Sequence, residues 1–260
     1  MSSSSTQIVL YELPSSLPLK KPLSPFSATI RAALNYKQLS YRTELVPLRD
    51  FQTVAASIGA KPTSTLPDGT PRYTTPTIID STSGTPVVLS ETLDILAYLD
   101  TTYPDSDRPL LVSAGSAAID RLAQGAILEM LFPVLSGMDV RAQYEAVPEG
   151  DRAIWRQKYL GDSGKSVDDV TLSKDSEAYK ALLKKGEEVW AKLAGLLGGE
   201  EWFGGKKPVA LDLFVLAVLG LTRDVWRVEW EGAFSKVADG RLGRYLEKGE
   251  AYLNFTPASA

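Results

Sequence analysis

The 260-residue chain contains neither cysteine nor histidine. The first absence excludes disulfides, thiolate metal sites, a redox Cys-x-x-Cys pair and a cysteine nucleophile. The second removes the commonest metal ligand and the commonest general base. Catalysis by this chain must therefore run on hydroxyls, carboxylates, backbone amides or a borrowed small molecule, and no metal is expected. Long apolar runs are also missing: the longest, Leu213 to Leu221, is far short of a bilayer span. Extended basic clusters are absent, since Lys184-Lys185 and Lys206-Lys207 stand as isolated pairs and the formal net charge is −4. That balance argues against a general nucleic-acid binder or a binder of anionic membranes. Met1 to Thr6 has neither the basic region nor the apolar stretch of a secretory signal, and reads as a short disordered tail on a cytoplasmic protein.

What is present suits a soluble globular core: 44% of residues are apolar and 23% charged, at a length fitting one large or two ordinary domains. Residues 8–100 mix strand and helix patterns, whereas 114–255 carry helical periodicity without a convincing alternating strand. The expected fold is an α/β domain over 1–105 followed by an all-helical domain over 106–260, joined by a linker from Tyr103 to Pro109. The first should run strand 8–12, helix 25–38, strand 41–46, an irregular or short helical stretch 50–60, strands 76–80 and 86–89, and helix 91–103. In the second, Ile119, Leu122, Ala126, Met130 and Val134 recur at helical steps, as for a helix packed on others. Ala210 to Leu219 is apolar on all sides and suggests the central helix of a bundle. Asp212 inside it is expected to bond the free amides of its first turn.

Three motifs carry the chemistry. In Leu23-Ser24-Pro25-Phe26-Ser27-Ala28, a hydroxyl-bearing loop opens into a helix, with Ser24 suited to the cap and Pro25 to the first turn. A hydroxyl beside free amides and the positive end of a helix dipole is a place to hold an anion such as a thiolate. By itself the segment equally fits a plain N-cap. Thr74-Thr75-Pro76-Thr77-Ile78-Ile79 reads as a proline entering a β-branched strand, and Ser90-Glu91-Thr92 as a strand end capped into a helix.

In this order, and with Lys61-Pro62-Thr63-Ser64, Pro67-Asp68-Gly69 and Pro71-Arg72-Tyr73 between, the chain resembles a glutathione transferase of the fungal etherase-related, β-aryl etherase-like branch. The resemblance is most specific over 8–105 and only architectural beyond. It implies a thioredoxin-like domain and a helical-bundle domain, with glutathione as co-substrate supplying the thiol that the chain lacks. It also implies a cis bond before Pro76, which lets the Thr75 backbone pair with the cysteinyl part of the tripeptide. Glu91 and Thr92 then take the γ-glutamyl group, while Lys61 and Arg72 face the glycyl carboxylate. Ser24, with Ser27 as the second candidate, activates the sulfur; Phe26 and Ser27 stand where Asn and Thr often follow the Ser-Pro pair. Phe26, Met130, Phe132 and Met138 are expected at the acceptor pocket. The implied activity is attack of thiolate on an apolar or aromatic electrophile, including ether cleavage, in a detoxifying cytoplasmic homodimer. Open alternatives are a non-catalytic binder of glutathione or aromatic ligands and a glutathione-dependent isomerase or lyase of specialised metabolism.

Overall fold

The computed structural model describes residues 7–18, 21–110 and 116–254. The Met1 to Thr6 tail lies outside the described residues. In chain order the first half runs β1 (Ile8–Glu12), α1 (Pro25–Tyr36), β2 (Tyr41–Leu45), α2 (Leu48–Ser57), β3 (Ser64–Thr65), β4 (Pro71–Arg72), β5 (Thr77–Asp80), β6 (Val87–Ser90) and α3 (Thr92–Thr102). The four longer strands form one sheet in the order β2-β1-β5-β6, with β1 and β2 parallel and the other neighbours antiparallel. This is a thioredoxin-like arrangement, as the sequence motifs imply. The two short strands β3 and β4 form a separate hairpin, turned at Gly69 with φ +85°.

The second half is helical: α4 (Ala117–Met138), α5 (Val140–Ala146), α6 (Arg152–Leu160), α7 (Val167–Val170), α8 (Glu177–Leu196), α9 (Ala210–Val225), α10 (Arg227–Gly232) and α11 (Val237–Gly249). As its composition predicts, α9 is buried on nearly every face. It packs along α1, where the Phe26 and Phe214 rings approach to 5.7 Å, so both halves share one apolar core. Asp212 is fully buried in the first turn of α9 and accepts from the amides of Val209, Phe203 and Gly204 and from the Tyr245 hydroxyl. With four donors on two oxygens, its burial carries no unsatisfied charge. The expected amide contact at Val209 is therefore one of several, and the loop at Phe203-Gly204 and Tyr245 of α11 supply the rest.

One expectation fails in α4. Ile119 and Leu122 are 69% and 74% exposed, and Ala126 is exposed too. The face that packs carries Gln124, Ile127, Leu131, Val134 and Met138. Two apolar stripes wind around this helix, and periodicity cannot tell which one meets the bundle.

The loop between β1 and α1 is pinned to the helical half at two points. The Ser16 amide donates to the Ala146 carbonyl at 2.8 Å, and Lys21 Nζ reaches Asp224 Oδ2 at 2.7 Å. Beneath the loop a buried Glu12–Arg31 ion pair joins β1 to α1.

Candidate active site

Strand direction gathers the three motifs. β5 runs antiparallel to β1, with Tyr11 opposite Thr77, so the end of β1 lies beside the start of β5. β6 runs antiparallel to β5, with Thr77 opposite Ser90, so the end of β6 arrives at the same edge. The loop bearing Ser24, the Thr75-Pro76 step and the Ser90-Glu91-Thr92 turn therefore converge at one end of the sheet. The Thr77 and Ser90 hydroxyls bond at 2.9 Å and lock two of them together.

At the first motif Ser24 has extended backbone (φ −98°, ψ 123°) and caps α1, its Oγ accepting from the Ser27 amide at 3.4 Å. Pro25 occupies the first turn, where no amide hydrogen is needed. Ser24 is half-buried, and its own hydroxyl hydrogen is committed to no partner among the described residues. Ser27 differs: it is 1% exposed, and its Oγ is closed off without a hydrogen-bond partner.

At the second motif the Thr75-Pro76 bond is cis. Both residues precede the first ladder pair of β5, at Thr77. The segment carrying Lys61 is zipped to the strand leading into this step: the Thr63 amide donates to the Arg72 carbonyl at 2.9 Å, and Thr74 Oγ1 donates to Thr63 Oγ1 at 3.1 Å. Lys61 and Arg72 are both exposed along this rim. At the third motif Thr92 opens α3 and is buried, whereas Glu91 is exposed and has φ +77° and ψ 124°. No side chain caps α3, so its leading amides point outward unclaimed by a cap.

Beside this edge lies a cavity of about 320 Å³ between the two halves. Leu23 and Pro25, the neighbours of Ser24, form part of its wall. Of the four residues expected there, Phe132 lines it. Phe26 instead turns to Phe214, Met138 is fully buried in the core, and Met130 packs against the core without reaching the cavity. The corrections share one cause: the side of a helix that meets a void depends on neighbouring elements, not on the helix's own pattern. The wall missed by the sequence reading is α6, which contributes Trp155, Lys158 and Tyr159, with Asp151 just ahead of it. The Trp155 and Tyr159 rings stack at 4.3 Å and 16°, and Tyr144 meets Trp155 edge-on at 5.6 Å. Burial pushes the Tyr159 hydroxyl above its usual range, which keeps it protonated at neutral pH. An aromatic pair at i, i+4 was the available signal for this surface.

A thioredoxin-like sheet that presents a hydroxyl, a cis-proline edge and an open helix start beside an apolar cavity of an appended helical bundle defines a glutathione-transferase architecture. Two family models match, the glutathione S-transferase N-terminal domain over residues 23–102 and the glutathione S-transferase C-terminal domain over residues 116–252. The chain belongs to the glutathione S-transferase family. A structure of a glutathione S-transferase from Ceriporiopsis subvermispora in complex with glutathione is 26% identical with a TM-score of 0.83, covering 96% of this chain and 99% of that chain. A second from the same organism, also in complex with glutathione, is 27% identical with a TM-score of 0.80 and covers 94% and 98%. A glutathione transferase from Phanerochaete chrysosporium is 26% identical with a TM-score of 0.76, covering 96% and 99%. These relatives are fungal, in keeping with a fungal branch of the family. A search of curated proteins finds no match. Among the described residues no helix is long and apolar enough to cross a membrane, and no group of three or more metal-ligating acidic side chains forms.

Proposed function

We propose that this protein activates the thiol of glutathione at Ser24 and directs it against an aromatic electrophile held in the cavity. The observation that carries the reading is the uncommitted Ser24 hydroxyl, held at a helix N-terminus between two residues of the cavity wall. Thr75 would pair with the cysteinyl backbone, Thr92 and Glu91 would hold the γ-glutamyl carboxylate and ammonium, and Lys61 and Arg72 would face the glycyl end. A free thiol titrates near 8.5, so lowering it by about two units requires roughly 2.7 kcal/mol of preference for the thiolate. A hydrogen bond to a charged group contributes roughly 1.5–3 kcal/mol, enough for one hydroxyl with help from the helix amides. The thiolate then forms a carbon–sulfur bond while an aryloxide or halide departs with its electron pair, or it adds to an activated alkene that takes a proton from water. Cleavage of aryl ethers is the first of these reactions. The stacked Trp155 and Tyr159 favour flat aromatic acceptors. We further infer a cytoplasmic homodimer with the domain boundary near residue 105.

The test is Ser24→Ala. Ultraviolet thiolate absorbance titrated against pH should report a higher pKa for bound glutathione and lower turnover at neutral pH, with calorimetric affinity for the tripeptide nearly intact. An unchanged titration in Ser24→Ala with loss of thiolate in Ser27→Ala would reverse the roles of the two serines. No thiolate in the parent protein would leave it a carrier.

A further inference from the structure

Helix α2 starts at Leu48 without a cap of its own, since the preceding residue is Pro47 and no neighbouring side chain accepts from its first amides. The acceptor comes from the other half of the molecule. Asp151, 2% exposed in the turn before α6, takes the Leu48 amide at 3.0 Å on Oδ2 and the Arg49 amide at 3.4 Å on Oδ1. Arg49 Nη1 lies 3.5 Å from Oδ1 and crosses the turn so closely that a Cβ on Gly150 would sit 2.5 Å from it. A carboxylate at a helix N-terminus is a favourable cap, and burial strengthens its hydrogen bonds. Asp151, Leu48 and Pro148 also line the cavity.

From this cap α2 reaches the opposite side of the site. One turn on, Gln52 clasps the Tyr73 peptide from both directions, Nε2 donating to its carbonyl and Oε1 accepting from its amide, each at 2.9 Å. Tyr73 leads directly into Thr74-Thr75-Pro76. The far end of α2 runs into Gly59-Ala60-Lys61. Little else holds the helix, because only Phe51 and Ala55 are buried along it, in a small cluster apart from the main core. An element with so few buried contacts is the kind whose position a single cap can set.

We propose that Asp151 is a positioning residue that couples the two substrate sites, so that filling the cavity tightens glutathione binding through α2, Gln52 and Tyr73. The inference rests on the proposed glutathione site. A ligand packed on Leu48 and Pro148 holds the start of α2 against the Asp151 cap, and through the Gln52 clasp steadies the Thr75 edge. Linkage requires the effect to be reciprocal.

The experiment uses the full chain and anilinonaphthalene sulfonate, a fluorescent aromatic that reports its own binding. Glutathione affinity is measured by calorimetry with and without the dye at saturation, in the parent protein and in Asp151→Asn and Gln52→Ala. The parent should bind glutathione at least about five-fold tighter in the presence of the dye. In both variants that factor should fall to near one, whatever the affinity for each ligand alone becomes. Amide exchange at Leu48 and Arg49 should accelerate in Asp151→Asn but not in Gln52→Ala, which separates loss of the cap from loss of the clasp. A parent factor of one, or a factor that survives in either variant, overturns the coupling. If the parent binds no glutathione at all, it is the functional reading that fails.

Discussion

Glu91 carries its side chain on a backbone with φ +77° and ψ 124°, a region that L residues rarely adopt. Holding a residue there costs roughly 1–3 kcal/mol, and such positions cluster where a ligand is clamped. The geometry aims the turn between β6 and α3 so that Glu91 stays exposed while Thr92, one residue later, is buried at the helix start. Removing the strain and removing the carboxylate can therefore be told apart. Glu91→Gly should melt at or above the parent temperature while binding glutathione more weakly by roughly 1.5–3 kcal/mol, the worth of a hydrogen bond to a charged group. Glu91→Ala should lose the same affinity without the gain in stability. Calorimetry and thermal melts on the two variants decide it; a glycine variant that melts clearly below the parent would mean that the backbone at Glu91 is not strained.

Much of the order of elements was legible from the chain, because Ser24-Pro25, the β-branched run after Pro76 and the Ser90 turn each mark a boundary by local chemistry. Contacts between distant elements were not. The cap on α2 comes from a residue about one hundred positions away, so the helix starts at Leu48, ahead of the irregular or short helical stretch expected over 50–60. The same limit hid the partners of Asp80. This carboxylate ends β5, is 1% exposed, and accepts from the hydroxyls of Tyr98 and Tyr103 and the amide of Thr82, binding α3 and the following linker to the sheet. Burial alone would raise its pKa, but the bonds from Thr82, Tyr103 and Tyr98 prevail and hold it below the usual range. A carboxylate depressed on folding contributes stability that is complete above its unfolded value, about 3.9, and is lost as pH falls through the folded value. Denaturant melts should therefore weaken more steeply below about pH 4 in the parent than in Asp80→Asn, which starts less stable but lacks that acid-sensitive increment. Parallel pH profiles for the two proteins would remove Asp80 from the account.

At the scale of the whole molecule, the apolar core shared where α1 meets α9 joins the two halves, yet an apolar stripe of α4 stays outside it. Ile119 and Leu122 stand on the first turns of α4, three residues apart, with Ala126 on the next turn of the same face. Periodicity marks this stripe as a packing surface, and among the described residues no element covers it. Large side chains exposed together on one helix face are a feature of association surfaces rather than of monomer exteriors. A second copy is the occupant that the inferred homodimer supplies, and two α4 helices meeting about a two-fold axis would bury the stripe against itself. Sedimentation of the parent protein at micromolar concentration should then give a species of twice 28.2 kDa. Ile119→Glu with Leu122→Glu should convert it to a monomer, because carboxylates facing their symmetry mates meet like charge in a desolvated contact. Since both residues are far more than half exposed, the paired change should leave the circular dichroism of each subunit intact. A dimer that survives the double substitution would move the interface to another face, and a monomeric parent protein would leave the α4 stripe without a partner of its own kind.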